Sequence, residues 1–65
     1  MIIAKKPIKD FIKNQPTITG YADKLNVSRE TIYNILNEEN ISSEMIAVLL
    51  NETGFEFEKA FEVKE

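Results

Sequence analysis

The chain has 65 residues, with no Cys, no His and a formal net charge of −3, so disulfides, thiol nucleophiles, the usual zinc sites and the commonest general base are all removed. With no nucleotide-binding glycine motif either, we expect no enzyme, no cofactor and no metal. No apolar run approaches the roughly 20 residues of a membrane span, and Met1–Ala4 is too brief for a signal peptide, so a soluble cytoplasmic protein that avoids the membrane is expected.

A chain of this length reads as one small domain, residues 1–65, that buries only about 60% of its unfolded surface, so its stability margin is thin and oligomerisation would help. The charge is divided along the sequence: residues 1–29 carry net +4 and residues 30–65 net −7. A basic first half and an acidic second half leave room for either a polyanionic or a basic partner.

Met1-Ile2-Ile3-Ala4 is short and β-branched. Phe61-Glu62-Val63-Lys64 alternates apolar and polar residues at period two. The two ends are therefore expected to pair as an antiparallel sheet. Pro7 suits a first helical position, and Ile8, Phe11 and Ile12 share one face, which predicts a first helix from about Pro7 to Asn14. Lys5, Lys6, Lys9 and Lys13 lie around or opposite that stripe, as a solvated face or a phosphate-facing patch. Gln15-Pro16 ends the helix. The second helix starts at Thr17 or Thr19, either of which could cap it, and Gly20 in its first turn costs about 1 kcal/mol relative to Ala.

A corner follows at Leu25-Asn26-Val27-Ser28. Asn26 tolerates the left-handed region that ends a helix. Ser28 can cap the next helix by accepting from Glu30 or Thr31, with Val27 and Ile32 as a hydrophobic staple. Ala22 provides a small side chain where steeply crossing helices need close approach. The third helix, Ser28 to about Asn37, turns Ile32, Ile35 and Leu36 inward and leaves Arg29, Glu30, Tyr33 and Asn34 outward, with Thr31 at the edge.

The run Tyr21-Ala22-Asp23-Lys24-Leu25-Asn26-Val27-Ser28-Arg29-Glu30-Thr31-Ile32 resembles the helix-turn-helix signature of the Cro/CI-like, or XRE-type, repressors, and the likeness extends more loosely to about Phe61. The resemblance implies an all-α fold, a compact five-helix helix-turn-helix domain, to which the paired termini would add a small two-stranded sheet. It also implies a sequence-specific repressor that binds a pseudo-palindromic double-stranded DNA operator as a homodimer. On such a face Arg29 can fork onto guanine, Asn34 can bond the edge of adenine and Glu30 can accept from cytosine, while Tyr33 can touch a thymine methyl or a phosphate. Backbone contacts would come from Thr17, Thr19, Ser28, Thr31, Asn37, Asn40, Ser42 and Ser43. Two departures stand out: the family's Gln near the start of the second helix is Ile18 or Thr19 here, and its loop glycine after the third helix is replaced by Asn37-Glu38-Glu39-Asn40. Glu38 and Glu39 would repel a polyanion, which implies modest affinity.

The fourth helix is marked by Ser42 as cap, Ile41 and Ile46 as staple, Glu44 in the first turn and Gly54 just past the end. Its apolar stripe is Ile46, Leu49 and Leu50, with Met45 and Val48 to one side. Phe55–Phe61 then gives one further helical turn. Three Phe in seven residues exceed what a small core absorbs, so Phe55, Phe57 and Phe61 are candidate dimer contacts. The alternative function is a protein-interaction module of the same fold, antirepressor-like or antitoxin-like, whose acidic half meets a basic partner and which does not read DNA.

Overall fold

The computed structural model describes residues 1–65. It is mostly helical with one small sheet, in the order β1 (Ile2–Ala4), α1 (Lys6–Lys13), α2 (Ile18–Leu25), α3 (Arg29–Leu36), α4 (Ser43–Thr53), α5 (Phe57–Ala60) and β2 (Phe61–Val63). None of the helices is long and apolar enough to cross a membrane.

Each helix end has a local cause. Lys5, in extended conformation, precedes α1, with Pro7 in its first turn, where a missing N–H costs nothing. Thr17, not Thr19, caps α2: its Oγ1 accepts from the Gly20 N–H at 2.9 Å. Ser28 and Ser42 cap α3 and α4 through the Thr31 and Met45 N–H groups, each at 3.2 Å. Gly54 ends α4 at φ 73°, a left-handed angle at which a side chain would be strained. Gly20 is explained by the same cap, because a Cβ there would stand 2.8 Å from Thr17 Oγ1.

The termini pair as the alternation of their side chains predicts. β1 and β2 run antiparallel with Ile2 opposite Val63, Ile3 opposite Glu62 and Ala4 opposite Phe61. Met1 and Lys64 extend the ladder by exchanging both backbone bonds, at 3.0 and 2.7 Å. The far edge of β1 is held by the loop after α3: Ile2 N–H donates to Asn40 Oδ1 at 2.9 Å, and Ile41 N–H donates to Ile2 O at 2.9 Å. The two ends of the chain are thus tied to its middle.

Inside this frame sit Ala4, Ile8, Ile12, Tyr21, Ala22, Ile32, Ile35, Ile41, Met45, Ile46, Leu49, Ala60 and Phe61. Two details differ from the sequence expectation. Met45 is buried and Leu50 only half-buried, so the inward stripe of α4 is rotated toward Met45. Phe61 is 2% exposed, so its side chain belongs to the interior and not to an exposed contact. Its place at the end of α5, where the chain turns into β2, drives its ring inward beside Ala60, which is likewise buried.

Candidate functional site

The site is built on the corner between α2 and α3. Asn26 adopts φ 60° and ψ 43°, and the chain closes behind it with two backbone bonds: Asn26 N–H to Asp23 O at 3.1 Å and Val27 N–H to Ala22 O at 3.0 Å. This crossed pair satisfies the carbonyls that a helix end otherwise leaves open. Ser28 is extended, and its Oγ also lies 3.0 Å from Thr31 Oγ1. Glu30 in the first turn of α3 complements the positive end of the helix dipole.

α3 is anchored on one side and open on the other. Ile32 and Ile35 are buried and Leu36 is half-buried, whereas Arg29, Glu30 and Tyr33 are exposed and Asn34 is half-buried. Tyr33 leaves 49% of its surface to solvent. Neither Arg29 nor Glu30 takes part in an ion pair, since the chain's two ion pairs are Lys9–Glu38 and Lys24–Glu52. Four polar groups of different hydrogen-bonding character therefore stand along the outer side of one short helix.

The flanking polar residues divide into committed and free. Thr17, Ser28 and Ser42 spend their side-chain oxygens on caps. Asn40 commits Oδ1 to Ile2, which turns its amide N–H groups, the donors a phosphate would accept from, away from that bond. Thr19, Asn37 and Ser43 are exposed, and Thr31 is half-buried. Thr17 and Gly20, together with Gln15, Pro16, Tyr21 and Lys24, line an open groove at the start of α2.

The basic residues are less available than their sequence suggests. Lys9 Nζ donates to Glu38 Oε2, Lys5 Nζ donates to Glu58 O at 2.7 Å, and Lys24 pairs with Glu52 at 3.4 Å. That leaves Lys6, Lys13 and Arg29, all exposed, as the uncommitted cations of the first half. The Lys9 hydrogen bond, followed by the charges of Lys9 and Lys64, holds the Glu38 carboxyl below its ordinary value. One of the two loop glutamates thus stays ionised and is paired with a lysine of its own chain.

Three features lay outside the sequence reading. Glu38 adopts φ 60°, at the loop where a glycine would be expected; the missing glycine was the available signal. The Asn40 link to Ile2 joins residues far apart in sequence and left no local trace. Tyr21 is 3% exposed, its ring set edge-on to Phe11 with centroids 6.0 Å apart, and its hydroxyl is buried without a hydrogen-bond partner. Burial, and then the Glu52 carboxylate, raise its pKa.

Of the three phenylalanines expected at a dimer contact, Phe55 and Phe57 are each 36% exposed. Phe57 leans on the buried Phe61 with ring centroids 5.5 Å apart, so it extends the interior toward the surface. In the comparisons with known proteins no family model matches the chain, and neither a curated protein nor a solved structure matches it.

Proposed function

We propose that this chain is a sequence-specific double-stranded DNA-binding repressor of helix-turn-helix type, in which α2 and α3 form the motif and α3 is the reading helix. The observation that carries the proposal is the outward face of α3: Arg29, Glu30 and Tyr33 stand exposed, unpaired with each other or with any other charged group, directly after a capped, rigid corner. Reading the major groove with the N-terminal half of the second helix is the usual work of such a corner.

In this mechanism Arg29 forks onto guanine, Asn34 recognises adenine and Glu30 accepts from cytosine, with Tyr33 at a thymine methyl or a phosphate. Thr19, Asn37, Ser43 and the amide of Asn40 are the neutral backbone contacts, and Lys6 and Lys13 add sequence-independent attraction. Two copies related by a twofold axis place their reading helices about 34 Å apart, one duplex turn. Repression is by occlusion, with no chemical step.

Salt titration of duplex binding tests this reading. Log affinity should fall linearly with log salt, at a slope of about −0.9 for each phosphate neutralised. Arg29→Ala should cost about 1–3 kcal/mol on the cognate duplex and far less on a random one. Equal losses on both duplexes would refute the role of Arg29.

A second reading is a protein-interaction module, favoured by the net −7 of residues 30–65 and by the commitment of Lys5, Lys9 and Lys24 within the chain. Under it, duplex affinity would be negligible at every salt concentration and a basic protein would be the ligand.

A further inference from the structure

The groove along α2 brings together three groups that the reading face does not use. Tyr21 and Lys24, three residues apart, share one side of the helix and line the groove with Thr17 and Gly20. Side chains on a helix tilt toward its N-terminus, so Lys24 leans back toward the turn that carries Tyr21. Glu52, from α4, completes the cluster by approaching Lys24. The three are unequally placed. Tyr21 is 3% exposed and its hydroxyl has no hydrogen-bond partner; its ring is set edge-on against Phe11 of α1, so the hydroxyl cannot turn to seek one.

The ion pair beside that hydroxyl is loose. Lys24 leaves 65% of its side chain to solvent and Glu52 only 25%. Their approach of 3.4 Å exceeds the about 2.7–2.9 Å of a charge-assisted hydrogen bond, and an exposed pair of this kind holds weakly. Glu52 therefore stands between a loosely held cation on its solvent side and an idle donor on its buried side. Its charge is felt at that donor, being second to burial among the causes that raise the Tyr21 pKa.

We propose that Glu52 exchanges partners: it holds Lys24 in the free chain, and accepts a hydrogen bond from the Tyr21 hydroxyl when a phosphate draws Lys24 away. Glu52 is the group that moves, since its carboxylate sits on a flexible stem whereas the Tyr21 ring is fixed. A hydrogen bond to a charged acceptor is among the stronger ones. Releasing Lys24 thus leaves neither a bare carboxylate nor an idle hydroxyl. Tyr21 acts through Glu52 as a positioning residue. It lowers the cost of freeing Lys24, which joins Lys6, Lys13 and Arg29 as a cation that the chain can offer to a polyanion.

The inference rests on the proposed function only for the source of that phosphate, a duplex backbone; the exchange itself is measured without DNA, so the two fail separately. Chemical denaturation of the full chain gives folding equilibrium constants for wild type, Tyr21→Phe, Lys24→Met and the double variant. In wild type, Tyr21→Phe removes an unpartnered hydroxyl and should raise the constant about fivefold. In the Lys24→Met background the hydroxyl has gained Glu52, so the same change should lower the constant about tenfold. Lys24→Arg keeps the charge and should restore the stabilising sign. A Tyr21 that only fills space gives one sign in every background. Proton NMR reads the bond itself: the phenolic proton of Tyr21 should move downfield in Lys24→Met and return in Lys24→Arg. A Tyr21→Phe effect of the same sign in wild type and in Lys24→Met, or a phenolic proton unmoved by Lys24→Met, would each overturn the proposal.

Discussion

Replacing Tyr21 by Phe should stabilise the protein, although Tyr21 lies within α2 and is almost wholly buried. The hydroxyl oxygen has no hydrogen-bond partner, and the residue is 3% exposed, so folding strips the group of water and returns nothing. A buried polar group left unsatisfied costs about 1–3 kcal/mol. Phe preserves the ring, its edge-on contact with Phe11 and nearly all of the volume, so only the penalty is removed. We expect a gain of about 1 kcal/mol, which in a domain of this size corresponds to a rise in Tm of about 4–8 °C. The sign of the pH dependence follows from the raised pKa. The folded chain holds the phenolic proton more tightly than the unfolded chain, so the contribution is whole below the ordinary 10.0 and is lost as pH rises through the folded value. Thermal melts of wild type and Tyr21→Phe at pH 7 and at increasing alkaline pH measure both effects, and the gap between them should widen above pH 10. A variant less stable than wild type at pH 7 would refute the reasoning, because it would show that the hydroxyl makes a stabilising bond.

Three further outcomes follow from the same structure. Gly20→Ala should leave stability nearly unchanged, because a helix-propensity gain of about 1 kcal/mol is offset by displacing the Thr17 cap, worth about the same; in a Thr17→Ala background the same change should stabilise by about 1 kcal/mol, as a double-mutant cycle by chemical denaturation would show. Glu38→Gly relieves a side chain held at φ 60° and frees Lys9, so duplex affinity should rise severalfold and the salt slope steepen by about one phosphate; unchanged affinity would separate this loop from the DNA. The Glu38 carboxyl, held below its ordinary 4.5 by Lys9, supports the fold above that pH and ceases to as pH falls through the lowered value, so Glu38→Gln should flatten part of the acid limb of a stability profile.

What the sequence disclosed was chemistry that acts over a few residues. Asn26 in the left-handed region, Ser28 and Ser42 as caps and Gly54 past α4 are each decided by their own backbone and the next turn, and all four are found as expected. The pairing of the termini was legible because alternation at period two survives without knowledge of the partner. The choice of Thr17 over Thr19 was not, since it depends on Gly20 leaving space for one hydroxyl. Counting three phenylalanines could not reveal that Phe61 alone turns inward, because that depends on where α5 ends against the interior. Lys9, read as part of a basic face, is instead bound to Glu38, a pairing that arises only when α1 and the loop after α3 meet. On the outer face of α3, Arg29, Glu30 and Tyr33 lie exposed as the period of the helix implies, while Asn34 is half-buried.

The claim that α3 reads bases is tested most directly by selecting bound sequences from a pool of random duplex DNA with the wild-type chain, and again with Arg29→Ala. Wild type should enrich a motif with two symmetry-related halves centred about one duplex turn apart, and Arg29→Ala should lose the preference for guanine at the matching positions of both halves. A wild-type selection that enriches no sequence, or a motif left intact by Arg29→Ala, would contradict it.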